Sequence, residues 1–261
     1  EGDDFTAKTF ADILYEAGFY SVDALRPLVG CWDGLLHRVK PDLVICDHAP
    51  SLLVACHQRV PVVQLGLGFT QPPASLSPLP SLVPPHEGSE NEALALASLQ
   101  AVMRARGDEA PSTLASLYDT AASFVTTFTE FDPYRTMRKG PHVGPLEELP
   151  SPLPKGGDGS YFAYLSADVP ASLEVLRSLG SSDRAGTVYL RGAHPKLASQ
   201  VRGWGVNLLD KPAPMNDALR RSDVIIHHGG VGTSQQAAAA GRPQVLVPWH
   251  LEQAYNAAVL E

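Results

Sequence analysis

Residues 223–253 read DVIIHHGGVGTSQQAAAAGRPQVLVPWHLEQ, and their order decides the fold. Val224, Ile225 and Ile226 form an apolar run that feeds into His227, His228, Gly229 and Gly230. Gly232 and Thr233 then open an alanine-rich segment whose composition predicts a helix, closed by Gly241 and Pro243. This is strand, glycine turn, helix. A second run, Val245, Leu246 and Val247, ends at Pro248, Trp249 and His250, after which Glu252 and Gln253 begin another helix. Both loops therefore leave the same carboxyl edge of a parallel sheet, where open α/β sheets bind their ligands.

A bound phosphate is the chemistry such a turn suits. Glycines let the backbone approach an anion with no Cβ in the way, and the first amides of the helix have no intrahelical partner, so they point outward with the positive end of the helix dipole. Thr233 adds a hydroxyl and His228 an imidazole. Any α/β protein can carry glycines at a strand-to-helix turn, so HHGG alone does not decide the matter. The second loop does.

Taken together, HHGGVGTSQQAAAAGRPQVLVPWHLEQAYNA resembles the donor-binding signature of the two-domain GT-B nucleotide-sugar glycosyltransferases, in particular the bacterial macrolide-type group related to the UDP-glucuronosyl and plant UDP-glycosyltransferases. The family pattern runs HGG-x-GT-x-x-EA-x-x-x-G-x-P-x-x-x-x-P and then DQ-x-x-NA. The resemblance implies that His228, Gly229 and the amides of Gly230, Gly232 and Thr233 hold a diphosphate. Gln236 takes the position of a glutamate that receives ribose hydroxyls, and Glu252 with Gln253 that of an Asp-Gln pair gripping the donor sugar. Glutamine accepts without a charge, and glutamate reaches one methylene further than aspartate; both departures bear on the donor.

Composition sets the outer bounds. With 261 residues, 44% of them hydrophobic and 18% charged, the chain has apolar material for one large or two small cores. A formal charge of -8 argues against a nucleic-acid partner. No apolar run approaches the ~20 residues of a membrane span and the N-terminus has no secretory pattern, so the expected location is the cytoplasm. Cys31, Cys46 and Cys56 sit in apolar contexts and are expected to be buried thiols. The chain opens at Glu1 without a methionine and stops at Glu261 within helical patterning, so a fragment cut at both ends, inactive by itself, is the expectation.

Upstream, Phe10, Ile13, Leu14 and Ala17 mark one helix face ended by Gly18. A longer stripe from Val22 through Leu25, Leu28, Val29, Trp32, Leu35 and Leu36 to Val39 follows Ser21 and stops at Pro41. Residues 42–46 are expected to be a buried parallel strand, 51–58 a helix and 60–65 a strand. Asp47 thus stands at a carboxyl strand end, where it could cap the next helix. The resemblance implies instead that it orients a catalytic histidine in an upstream loop outside this chain. His48, His37, His57 and His86 offer no clear substitute, and no ligand spacing suggests a metal.

Residues 66–88 are proline-rich, either a surface loop or, by the resemblance, part of an acceptor pocket walled by Phe69, Leu76, Leu79 and Leu82. Helical patterning over 90–106 and 112–122 precedes a β-rich 123–128, and residues 142–145, HVGP, resemble the segment closing the family's N-terminal domain. The expected organisation is a partial N-terminal domain over 1–145, a linker over 146–159 and a C-terminal domain over 160–261. In the latter, strands are expected at 161–165, 187–190 and 206–209 and helices at 169–179, 195–203 and 215–221. By the resemblance Ser166 lies on the phosphate side, and Lys211 with Pro212 in the segment that receives the nucleobase.

The expected fold class is α/β: GT-B, with two Rossmann-like domains of parallel sheet across a cleft, the first incomplete. The implied activity is an inverting, metal-independent, cofactor-free transfer of a sugar from a UDP- or TDP-sugar to the hydroxyl of a small, natural-product-like acceptor. A silent nucleotide-sugar-binding homologue or helper, and a sugar-nucleotide epimerase on the same fold, are the alternatives.

Overall fold

A computed structural model describes residues 7–82, 89–154 and 159–261. His86 and the Pro84-Pro85 pair lie outside the described residues, as does part of the expected linker. The chain divides into two compact units, Glu1–Leu146 and Glu147–Glu261.

The first unit starts with α1 (Phe10–Leu14), entered through a reciprocal cap in which the Thr9 hydroxyl accepts from the Asp12 amide and the Asp12 carboxylate accepts from the Thr9 amide. Gly18, at φ 103°, turns the chain into α2 (Val22–Val39). The Ser21 hydroxyl caps that helix, and Lys40 in a left-handed conformation ends it one residue before Pro41. Only part of the expected stripe is inward. Leu25 and Val29 are buried, whereas Leu28, Leu35 and Val39, one step around the helix, are exposed.

β1 (Val44–Cys46), α3 (Pro50–Cys56), β2 (Val62–Gly66), α4 (Asn91–Ala105) and β3 (Ala122–Val125) follow. The strands form a parallel sheet in the order β1-β2-β3. Two expectations are corrected here. β1 is buried only in part: as an edge strand, among the described residues paired with β2 alone, it buries Cys46 but leaves Ile45 67% exposed. Nor is 112–122 a helix. It holds one 3-10 turn at Ala115–Tyr118, because Ser116 turns back on Thr113, bonding both its amide to the Thr113 hydroxyl and its own hydroxyl to the Thr113 carbonyl.

The core gathers around Phe10, whose ring meets Phe69 and Tyr118 edge-on. Beyond β3 the buried Asp132 carboxylate takes Arg138 at 2.6 Å and His142 at 2.9 Å. Arg138 also donates to the carbonyls of Gly68 and Gln71, tying the chain after β3 to the exit of β2. Cys46 and Cys56 are buried, and burial pushes the Cys56 thiol up to about 11; Cys31 on α2 is exposed, contrary to expectation.

In the second unit the order is β4 (Tyr161–Ser166), α5 (Pro170–Gly180), β5 (Gly186–Arg191), α6 (Pro195–Gly203), α7 (Met215–Arg221), β6 (Val224–His227), α8 (Val231–Ala239), β7 (Gln244–Leu246) and α9 (Leu251–Leu260). The sheet is parallel with strands in the order β5-β4-β6-β7. Residues 206–209 do not form the expected strand; a single bridge joins Leu208 to Val188. Side chains alternate about the sheet as the pleat requires. Ala163, Leu165 and Val188 pack with Leu176 and Val201 on one face, while Phe162 and Ile225 pack with Leu219, Ala237 and Ala240 on the other. Burial on both faces is what near-continuous apolar strands imply. Part of the expected linker is anchored in this unit: Leu153 donates its amide to Ala240, and the Pro154 carbonyl accepts from Arg242.

Candidate functional site

The two adjacent histidines at the end of β6 do different work. His227 is 2% exposed, and its Nδ1 accepts the Gly229 amide at 3.0 Å while Nε2 donates to Gln244 at 2.8 Å. An amide can only donate, so Nδ1 carries no hydrogen and the ring is neutral. Burial drives its pKa down to about 4. His227 therefore holds the turn in shape. Gly229, at φ 86°, follows it, and a Cβ there would come within 3.1 Å of the Gln253 carbonyl. From α9 the buried Asn256 amide donates to the Gly229 carbonyl at 2.8 Å.

His228 faces the other way and is fully engaged. Its Nδ1 lies 2.7 Å from the Val247 carbonyl, to which it must donate, and its Nε2 accepts the Ser166 amide at 2.9 Å. In this arrangement both ring nitrogens of His228, the residue expected to hold a diphosphate, are engaged within the protein. The ring braces the ends of β4 and β7. Ser166 is likewise occupied: its buried hydroxyl lies 3.3 Å from Arg191 and 3.4 Å from Asp168.

The mouth of α8 remains. Gly230 is its N-cap and supplies no side-chain cap, and Gly232 is exposed. The amides of Val231, Gly232 and Thr233 precede the first residue that can bond back into the helix, Ser234, whose amide reaches the Gly230 carbonyl at 3.0 Å. One turn on, the Gln236 amide donates to the Glu147 carboxylate at 3.0 Å, so a carboxylate does stand beside this position although residue 236 is not one. Gln253 folds back to accept the Trp249 amide at 2.8 Å, and Glu252 sits in the first turn of α9. Lys211 and Pro212 are exposed on the segment after the Leu208 bridge.

In the first unit Asp47 leaves β1 at the carboxyl edge. It does not cap α3, whose N-cap is Ala49 without a side-chain bond. Its carboxylate lies against Gly66, where a Cβ would overlap Oδ1. The His48 ring packs edge-on to Phe10 at 5.8 Å rather than turning to Asp47. The expected pocket walls divide: Phe69 and Leu79, 5% and 1% exposed, are core residues, while Leu76 and Leu82 are half-buried at the surface.

Asp168, Arg191, Asn256 and Glu147 escaped the sequence reading as site residues. Asn256 was visible within the quoted motif; the others announce themselves only by proximity. A cavity of about 560 Å³ in this unit opens between Tyr161, Gly186, Pro214 and Arg221, at the amino ends of the strands and so away from the turn. Among the described residues no three His, Cys, Asp or Glu side chains group to hold a metal, and no helix is long and apolar enough to cross a membrane.

Residues 200–261 match the glycosyltransferase family 28 C-terminal domain. The fold is GT-B. Glycosyltransferase GtfE of Amycolatopsis orientalis is 33% identical over 108 residues, covering 36% of this chain and 26% of the relative. The chain thus matches about a quarter of that relative's length. Among solved structures, the calicheamicin glycosyltransferase CalG4 superposes with a TM-score of 0.63 at 18% identity, covering 98% of this chain and 69% of that one. A Streptomyces sp. SF2575 glycosyltransferase complexed with thymidine diphosphate gives 0.56 at 18%, covering 99% and 66%. A second relative from Amycolatopsis orientalis, vancomycin aglycone glucosyltransferase, is also 33% identical over 108 residues, covering 36% of this chain and 26% of the relative.

Proposed function

We propose that this chain takes part in moving a sugar from a UDP- or TDP-sugar to a hydroxyl of a small natural-product acceptor, with inversion and without a metal. The observation that carries the reading is the uncapped N-terminus of α8 at the carboxyl edge of its sheet. Departure of a nucleoside diphosphate leaves negative charge on the bridging oxygen, and preorganised amides at Gly230, Gly232 and Thr233 offset it without rearranging. Glu252 and Gln253 then meet the sugar, and Lys211 and Pro212 the base. On the acceptor side, Asp47 orients a histidine outside this chain that removes the acceptor proton, the task best suited to an imidazole tuned near neutral pH. Leu76 and Leu82 border the acceptor. The name of one relative, vancomycin aglycone glucosyltransferase, supports the acceptor class, and the thymidine diphosphate complex of a fold relative supports the donor.

Thermal unfolding with and without nucleotide sugars tests this. A donor at a hundred times its Kd should stabilise the folded chain by about 2.7 kcal/mol. TDP- or UDP-sugars are expected to raise the melting temperature and an ADP-sugar not to; no shift with any of them ends the reading. The Gln236 to Glu147 bond favours one alternative, a homologue that binds the donor without turnover, and a transfer assay on a longer chain that supplies the histidine separates the two.

A further inference from the structure

The four strand ends of the second sheet are joined in one line of hydrogen bonds. Arg191 Nη2 donates to Ser166 Oγ at 3.3 Å, the Ser166 amide donates to His228 Nε2 at 2.9 Å, and His228 Nδ1 donates to the Val247 carbonyl at 2.7 Å. The line crosses from β5 to β4, past the end of β6, to the residue after β7. Ser166 and Arg191 are register partners on the last rung between their strands, so the arginine reaches sideways to its neighbour.

Two members of this line already have partners within the protein: both ring nitrogens of His228 are engaged, and the Ser166 amide is bonded to one of them. Arg191 differs in three respects. It carries a permanent charge, it is exposed, and its guanidinium has five hydrogens, of which one is used in this contact. It forms no ion pair among the described residues. The nearby Asp168 carboxylate lies 3.4 Å from the Ser166 hydroxyl and so takes its hydrogen, which leaves the hydroxyl lone pairs facing Arg191.

We propose that Arg191 is the cation that meets the diphosphate of the donor, with Ser166 and Asp168 as the residues that aim it. This rests on the reading of the α8 mouth as a diphosphate seat. The line of bonds puts Arg191 one strand from Ser166, and Ser166 in direct contact with His228, two residues before the N-cap of α8. A fixed guanidinium and a row of backbone amides are complementary donors for a diphosphate: the amides are directional and uncharged, the arginine charged and bidentate.

The test is calorimetric titration of the intact chain with TDP, UDP and thymidine, for the native sequence and for Arg191→Gln and Arg191→Lys, across a range of salt. Arg191→Gln should weaken TDP binding about tenfold or more, leave thymidine binding unchanged and flatten the salt dependence, since only the charged contact is screened. Arg191→Lys keeps the charge and should recover much of the loss. Native-like TDP affinity in Arg191→Gln overturns the assignment while leaving the diphosphate seat intact. Equal loss in both variants, with thymidine affinity falling in step, marks a structural role and overturns it too. If the native chain binds neither TDP nor UDP, the seat itself fails and the assignment with it.

Discussion

At the carboxyl edge of the second sheet each strand end is tied to its neighbour, from Arg191 through Ser166 and His228 to Val247. At the same edge of the first sheet Asp47 leaves an edge strand, caps nothing, and presents an exposed carboxylate held close to Gly66. On the proposed function, the two edges would divide the needs of a group transfer. A seat for a leaving diphosphate gains from donors fixed before the ligand arrives, because no reorganisation is then required. A carboxylate that works through another group must stay accessible to it. Rigidity on one side and availability on the other are therefore what the comparison teaches.

The contrast predicts that the second edge is costly to disturb and the first is not. His227→Ala should have the largest effect, destabilising the second unit by roughly 2–4 kcal/mol, because it opens a cavity and strands the Gly229 amide and Gln244. Denaturant unfolding monitored in that unit reads it, and a loss below about 1 kcal/mol would remove His227 from its place as the brace of the turn.

Acid should act through the same residue. The folded pKa of His227 is about 4 against an ordinary 6.5. As pH falls below 6.5 the unfolded chain takes up a proton that the folded chain refuses, so stability present above that pH is lost progressively until about pH 4. The loss attributable to this group is up to about 3 kcal/mol. Unfolding curves at stepped pH should show this slope in the native chain and not in His227→Ala.

Gln236→Glu comes next. It sets two carboxylates where an amide now donates to Glu147 at 3.0 Å, and it should cost about 0.5 kcal/mol while failing to tighten TDP binding. A tighter complex would instead restore residue 236 itself as the ribose contact. Smallest of all is Asp47→Asn, expected to change stability by less than about 0.5 kcal/mol, because the carboxylate holds no helix cap. A fall in melting temperature of many degrees would make Asp47 a structural residue and dissolve the contrast between the edges.

Much of the α/β alternation was legible before any coordinates. The apolar runs at β4 and β6, the alanine-rich α8 and the cap at Ser21 are local signals, set by propensity, periodicity and hydrogen-bonding residues within a few positions of one another. The failures are also physical. The helical pattern at 112–122 lost to short side-chain bonds at Thr113 and Ser116, and the strand pattern at 206–209 had only one rung to pair with. Ile45 reads as a core residue until the sheet order makes β1 an edge.

For the site, sequence by itself determined the glycine turn, the helix that follows it and the spacing to the second loop, since glycine at φ 86° and an uncapped helix start are properties of neighbouring residues. Only the tertiary structure decided which histidine is buried, that both ring nitrogens of His228 are engaged, and that Arg191, Asp168 and Glu147 stand beside the motif. Those facts depend on pairings across 25, 62 and 89 positions of chain. A hydrogen bond is recorded in sequence only when its partners are close along the backbone. When sheet register brings them together, it is the packing of strands that makes the assignment.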